Sequence, residues 1–114
     1  MLITTTSTVD GKPVQEYLGV INAQSIIGAN IFKDIFAGLR DVFGGRSKTY
    51  EKVLEQAKED ALRELSQKAQ AIGANGILGV DLDFETVGSG GSMLMVIATG
   101  TAVRLIILII PDET

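Results

Sequence analysis

Residues 47–87 read SKTYEKVLEQAKEDALRELSQKAQAIGANGILGVDLDFETV. Two periodicities follow one another here. Tyr50, Val53, Leu54, Ala57, Ala61, Leu65 and Ile72 recur at a 3.6-residue spacing, which predicts a helix with one apolar stripe. Ser47 opens the helix. Gly73, followed by Ala74-Asn75-Gly76, supplies its stop. Ala57 and Ala61 are small enough to let it approach a sheet closely. From Ile77 to Val87 the period becomes two. Val80, Leu82 and Phe84 take one side and Asp81, Asp83 and Glu85 the other, the pattern of a half-buried strand.

Working outward, Gly88-Ser89-Gly90-Gly91 reads as a hairpin loop. Met93 to Val103 is apolar or small on both faces, so it is expected to be central in its sheet or covered on both sides. Leu105 to Ile110 prolongs the apolar run until Pro111 stops it. On the other flank, Met1 to Val9 reads as a short strand and Asp10-Gly11 as a turn, with Lys12-Pro13 after it. Val14 to Ile21 reads as a second strand, and Gln24 to Ala29 fits no single template. Asn30 caps a short helix carrying Ile31, Ile35, Leu39 and Val42, which Gly44-Gly45 ends. The expected class is α+β: strand, helix, strand, strand, with a short helix inserted after the first major strand. No repeat or linker divides the 114 residues, the size of one domain.

Composition narrows the chemistry. The chain has no cysteine and no histidine. That excludes disulfides, thiolate nucleophiles, imidazole bases and Cys/His zinc sites. With a net charge of −4, 5% aromatics and no Trp, neither a phosphate-binding basic face nor a base-stacking platform is expected, hence no nucleic-acid partner. The N-terminus lacks the basic start and apolar core of a signal peptide. The run from Met93 to Ile110 carries Thr99, Gly100, Thr101 and Arg104, a poor spanning helix. A cytoplasmic protein with no membrane partner is the expectation. A mean hydropathy of +0.29 is high for a small monomer and points to burial against further copies.

Three patterns are candidates for chemistry. Asp81, Asp83 and Glu85 put three carboxylates on one strand face, which suits a hard, oxygen-seeking cation. The plainer reading is a solvated face or polar pairs to a neighbour. Gly44-Gly45-Arg46-Ser47 stands at a helix N-terminus, where free N–H groups, a guanidinium and a hydroxyl suit an anion. It is not a Walker A loop. A capped turn explains the same residues. Met93 and Met95 offer thioethers to soft copper, but core packing accounts for them better. Asp10, Glu16, Tyr17 and Tyr50 are the remaining acid–base groups, and nothing in the sequence couples any two of them.

Several segments carry a family resemblance. They are Gly28-Ala29-Asn30-Ile31-Phe32-Lys33-Asp34, Arg40 to Ser47, Gly79 to Val87, Gly91 to Val96 and Gly100 to Val103. In this order they resemble the YbjQ-like family, from about Ile3 to Val103. That family is bacterial and archaeal, its function is not established, and it carries a putative heavy-metal-binding label. The resemblance implies a dodecin-like β-α-β-β subunit, with an antiparallel sheet on one long helix, assembling into a pentameric ring. The tail from Leu105 to Thr114 departs from the family pattern. Without thiolate or imidazole, soft heavy metals also find few good ligands in this chain.

The functional expectation is a non-enzymatic, ring-forming homo-oligomer that binds a small ligand or anion at Gly44, Gly45, Arg46 and Ser47, with no cofactor. The alternative is a protein that binds a hard divalent cation through Asp81, Asp83 and Glu85. A third is an enzyme with a site between subunits, built around Arg46 and a carboxylate.

Overall fold

A computed structural model describes residues 1–28 and 48–107. The elements are β1 (Leu2–Ile3), β2 (Val14–Ile27), α1 (Lys48–Ala71), β3 (Gly76–Val87) and β4 (Met93–Leu105), with one turn of 3-10 helix at Ser89–Gly91. The four strands form one sheet in the order β1-β3-β4-β2, and the long helix packs on it. The fold is α+β, as the periodicities require. Asn30, the helix expected from Ile31 to Val42, Gly44, Gly45, Arg46, Ser47, the Tyr50 side chain and the tail from Leu108 onward lie outside the described residues.

The helix is built from its stripe. Ala57, Ala61, Leu65 and Ala69 follow at i+4 intervals and are the buried residues of α1 among its described side chains. Three of the four are alanine, so only Leu65 projects a large side chain from this row. Glu51 in the first turn and Lys68 in the last suit the helix dipole. Lys58 pairs with Glu55 at 2.9 Å and Arg63 with Asp60 at 3.1 Å. These exposed pairs contribute only a few tenths of a kcal/mol each. The helix ends in a Schellman turn: Gly73 N–H donates to Gln70 C=O and Ala74 N–H to Ala69 C=O, both at 3.0 Å. Gly73 takes φ 86°, a conformation that side chains with a Cβ avoid. Ile72, expected on the stripe, is 46% exposed, because the helix has ended at Ala71 and the chain is turning.

The chain divides into two compact units. Residues 1–21, 66–81 and 99–114 make the first, and 22–65 and 82–98 the second. The second buries Ala23, Ile27, Ala57, Ala61, Leu65, Leu94, Val96 and Ala98. The first buries Ala69, Ala74, Ile77, Leu78, Val80, Ala102, Val103 and Leu105. In the first unit Leu78, Val103 and Leu105 also gather Leu2, Val9 and Val14 around them. Adjacent Ala102 and Val103 are both fully buried. Here β4 is covered on both faces, as its apolar composition requires.

The N-terminal strand is shorter than its β-branched composition suggests. β1 pairs parallel with β3, Leu2 opposite Gly76 and Ile3 opposite Ile77. Beyond it the contact continues irregularly: Thr4 N–H to Ile77 C=O, Val80 N–H to Thr4 C=O, Gly79 N–H to Thr6 C=O. The expected strand from Met1 to Val9 is thus regular only at Leu2–Ile3. The threonines divert it. Thr4 Oγ1 accepts from the Thr6 N–H at 3.1 Å, and the Thr6 hydroxyl donates to Thr8 C=O at 2.7 Å. Such local bonds compete with a regular ladder.

Asn75 joins the pieces of the first unit. Its N–H donates to Val103 C=O and its C=O accepts from Leu2 N–H. Its side chain takes both backbone groups of one residue. Leu105 N–H donates to Oδ1 at 2.6 Å, and Nδ2 donates to Leu105 C=O at 3.0 Å. At Gly100 the backbone of β4 approaches β3 so closely that an added Cβ would lie 2.6 Å from Ile77 Cγ2 and 3.1 Å from Val80 Cγ2.

Asn75→Ala leaves the Leu105 N–H and C=O without partners in a half-buried position. It should cost about 1–3 kcal/mol. Thermal unfolding should show Tm lower by roughly 5–10 °C, and an unchanged Tm would refute the joining role. Gly100→Ala should cost about 1–3 kcal/mol by overpacking, read as a lower midpoint in urea with an unchanged slope.

Candidate functional site

The carboxylate row lies on β3 as its spacing predicts. Asp81, Asp83 and Glu85 are all exposed. Asp83 has an interaction partner. The opposite side of this stretch is less covered than the alternation suggests: Val80 is buried, Leu82 half-buried and Phe84 49% exposed. Among the described residues, no three carboxylates are gathered closely enough to hold a metal ion. Carboxylates spaced along one strand point the same way without converging, so a cation there would need ligands from elsewhere.

Met93 and Met95 are half-buried on either side of buried Leu94. Met93 lies over Gly88, whose added Cβ would sit 2.8 Å from the Met93 Cε. This is gap-filling contact at the hairpin.

The first unit has an open groove of about 410 Å³ lined by Leu2, Thr4, Thr6, Thr8, Val9 and Asp10. Composition alone did not single it out, since the lining depends on alternate threonines turning to one side. Its hydroxyls are largely spent on one another. The Thr6 hydroxyl donates to Thr8 C=O, so the 2.8 Å contact between the Thr4 and Thr6 oxygens takes its proton from Thr4. Two of the three hydroxyl protons are therefore committed, and Asp10 adds negative charge. The groove is poorly equipped to take an anion.

Glu16 acquires a partner that no sequence spacing could have shown, 88 positions away. The Arg104 Nη1 donates to its Oε2 at 3.0 Å. Nε and Nη2 of the same guanidinium reach the Gly73 carbonyl at 3.4 Å each. Arg104 thus ties β2 to the residue that ends α1, and cations complement helix C-termini. Both side chains are about half exposed (42% and 54%), so the pair contributes modestly.

Among the described residues β2 forms one edge of the sheet. It is also the longest strand, at 14 residues. Tyr17 is 71% exposed and Val20 76% in the first unit; Ile26 is 56% exposed in the second. Gly44, Gly45, Arg46 and Ser47 precede the first helical residue, Lys48, in the sequence. No described helix is long and apolar enough to cross a membrane.

Comparison with known proteins places this geometry. A family model described as "Putative heavy-metal-binding" matches residues 1–106. UPF0145 proteins from two strains of Caulobacter vibrioides, NA1000 / CB15N and ATCC 19089 / CIP 103742 / CB 15, are each 58% identical over 105 residues, 92% of this chain and 100% of the relative. A crystal structure of a protein of unknown function from Pediococcus pentosaceus, of the DUF74 family, is similar with a TM-score of 0.61. It is 21% identical and covers 92% of this chain and 97% of its own, a likeness of fold. On the match over residues 1–106 and the 58% identity, the chain belongs to the YbjQ-like family, the one described as putative heavy-metal-binding.

Proposed function

We propose that the protein is a non-enzymatic homo-oligomer, a ring of five subunits acting in the cytoplasm, that holds a small anionic ligand. The observation that carries the oligomer is the β2 edge. A 14-residue edge strand with Tyr17 and Val20 more than two-thirds exposed is a surface that isolated proteins normally blunt or cover. Contact between this edge and a different surface of the next copy is head-to-tail, and repeated by rotation it closes a ring.

Chemistry supports binding over catalysis. The sequence has neither Cys nor His. Among the described residues, no polar or charged side chain is buried, so none lies in the dry surroundings that tune a catalytic acid or base. The anion position we favour is Gly44-Gly45-Arg46-Ser47. The first-turn N–H groups of α1 have no intrahelical acceptors, and Arg46 stands two residues before Lys48 with a full positive charge. The second reading is a hard cation at Asp81, Asp83 and Glu85. Three exposed carboxylates on one strand favour it, with a neighbouring copy completing the coordination.

Native mass spectrometry should give five subunits with any retained ligand. A stable monomer in sedimentation equilibrium at micromolar concentration would refute the assembly. Arg46→Ala should abolish phosphate-induced thermal stabilisation and leave subunit number unchanged; dissociation instead would make Arg46 an interface residue. Titration with zinc or cuprous ion should show no saturable submicromolar site, because the soft donors such ions select are limited to three methionines. A stoichiometric submicromolar site would overturn that expectation.

A further inference from the structure

The threonine groove of the first unit has a definite hydrogen-bond polarity. Leu2, Thr4, Thr6, Thr8, Val9 and Asp10 line it, around about 410 Å³. The Thr4 hydroxyl donates to Thr6 Oγ1, and the Thr6 hydroxyl donates to Thr8 C=O. Both protons are therefore spent along the chain. Thr4 Oγ1 also accepts from the Thr6 N–H. A hydroxyl oxygen has two acceptor positions, so those of Thr4 and Thr6 each keep one. Among the described residues, Thr8 Oγ1 and the Asp10 carboxylate have no hydrogen-bond or ion-pair partner. Lys12, two positions on, neither lines the groove nor pairs with Asp10. What remains on the lining side chains is a set of acceptors beside one carboxylate, with the Thr8 proton as their last donor.

We propose that this groove binds a primary ammonium group carried on a short aliphatic body. An ammonium has only donors, the complement of Asp10 and the spare hydroxyl lone pairs. Hydrogen bonds to ionised groups are shorter and stronger than neutral ones, so the carboxylate dominates the contact. Half-buried Leu2 and Val9 give the aliphatic body an apolar wall. The same wall disfavours a bare metal ion, because a hard cation wants oxygen on every side and Leu and Val offer none. A quaternary ammonium has no N–H to donate and is held by aromatic faces, which this lining lacks. The net charge of −4 draws cations toward the chain as a whole. The site uses residues 2–10 alone, so it needs neither the anion position nor the assembly proposed above.

The test is a titration of the full-length chain with n-butylammonium chloride, followed by amide-resolved NMR. The neutral isostere n-butanol is titrated in parallel, and so are tetramethylammonium and magnesium chlorides. The expected result is a saturable shift gathered on the amides of residues 4–10, given by n-butylammonium and not by n-butanol or tetramethylammonium. Asp10→Asn is expected to weaken binding about tenfold or more. It should keep the fold, because Asn-Gly forms the same tight turn as Asp-Gly. Thr8→Val is expected to weaken binding about threefold. Should either variant fail to fold, the comparison of n-butylammonium with n-butanol on the unaltered chain still decides. The absence of saturation, or equal shifts from n-butanol, overturns the proposal. So does unchanged affinity in a folded Asp10→Asn chain. Saturation by magnesium at lower concentration on the same amides overturns it in favour of a hard-cation site. Shifts centred on residues 81–85 overturn it in favour of the carboxylate row on β3.

Discussion

The Asn75 side chain offers Leu105 what a neighbouring strand would offer: one acceptor for its N–H and one donor for its C=O. The backbone of the same residue bonds Val103 and Leu2. The end of β4, the start of β3 and the N-terminal strand of the first unit therefore share one amide-bearing residue. It stands two positions after Gly73, where the helix has just ended. An amide suits the position because it presents donor and acceptor together on a short, stiff side chain. Aspartate has no donor when ionised, and an apolar residue has neither group. The doubly covered stretch at Ala102 and Val103, and the small cluster of Leu78, Val103 and Leu105 with Leu2, Val9 and Val14, depend on the strands being fixed at this point.

Among the described residues, burial is greater along β4 than along β2. β4 alternates between buried and half-buried along most of its length, whereas the 14-residue β2 buries only Ala23 and Ile27. Among the described residues β2 stands at one end of the strand order, a position that native proteins manage by blunting, covering or association. The high apolar content of the chain and the exposed Tyr17, Val20 and Ile26 are thus two aspects of one fact. Apolar residues in excess of what a small domain can bury come to lie at its surface.

The family description names heavy metals, and this chain contains neither thiol nor imidazole. Its oxygen donors are plentiful, but on β3 they are strung along one strand. The structure instead gives the charged groups structural work. Arg104 spans Glu16 and the Gly73 carbonyl, and Asp60 receives both Gln56 and Arg63 on the helix surface. Of these contacts, those of Arg104 hold a strand to a helix end, and those of Asp60 are local to the helix surface.

Local repetition made much of this legible in the sequence. The i+4 row of Ala57, Ala61 and Leu65 fixed the buried face of α1, and Gly73 its end. The alternation from Val80 marked β3 as a strand, and the apolar run from Met93 marked the covered one. Each of these signals depends on neighbours a few residues apart, so the chain carries them whatever the remote contacts are. What the sequence could not supply was anything needing two distant residues. Asn75 and Leu105 are 30 positions apart, and Glu16 and Arg104 are 88 apart. Their pairing follows from strand order. That order also made β2 an edge, joined β1 parallel to β3 and left Phe84 exposed although its period is that of buried Val80. The threonine groove arose because hydroxyls bonded to nearby backbone and cut short a segment whose β-branched composition read as strand. Residue type and spacing set which elements form and which way each one faces. Only the tertiary arrangement decides which faces and edges find a partner, because burial belongs to a pair of surfaces and not to a residue.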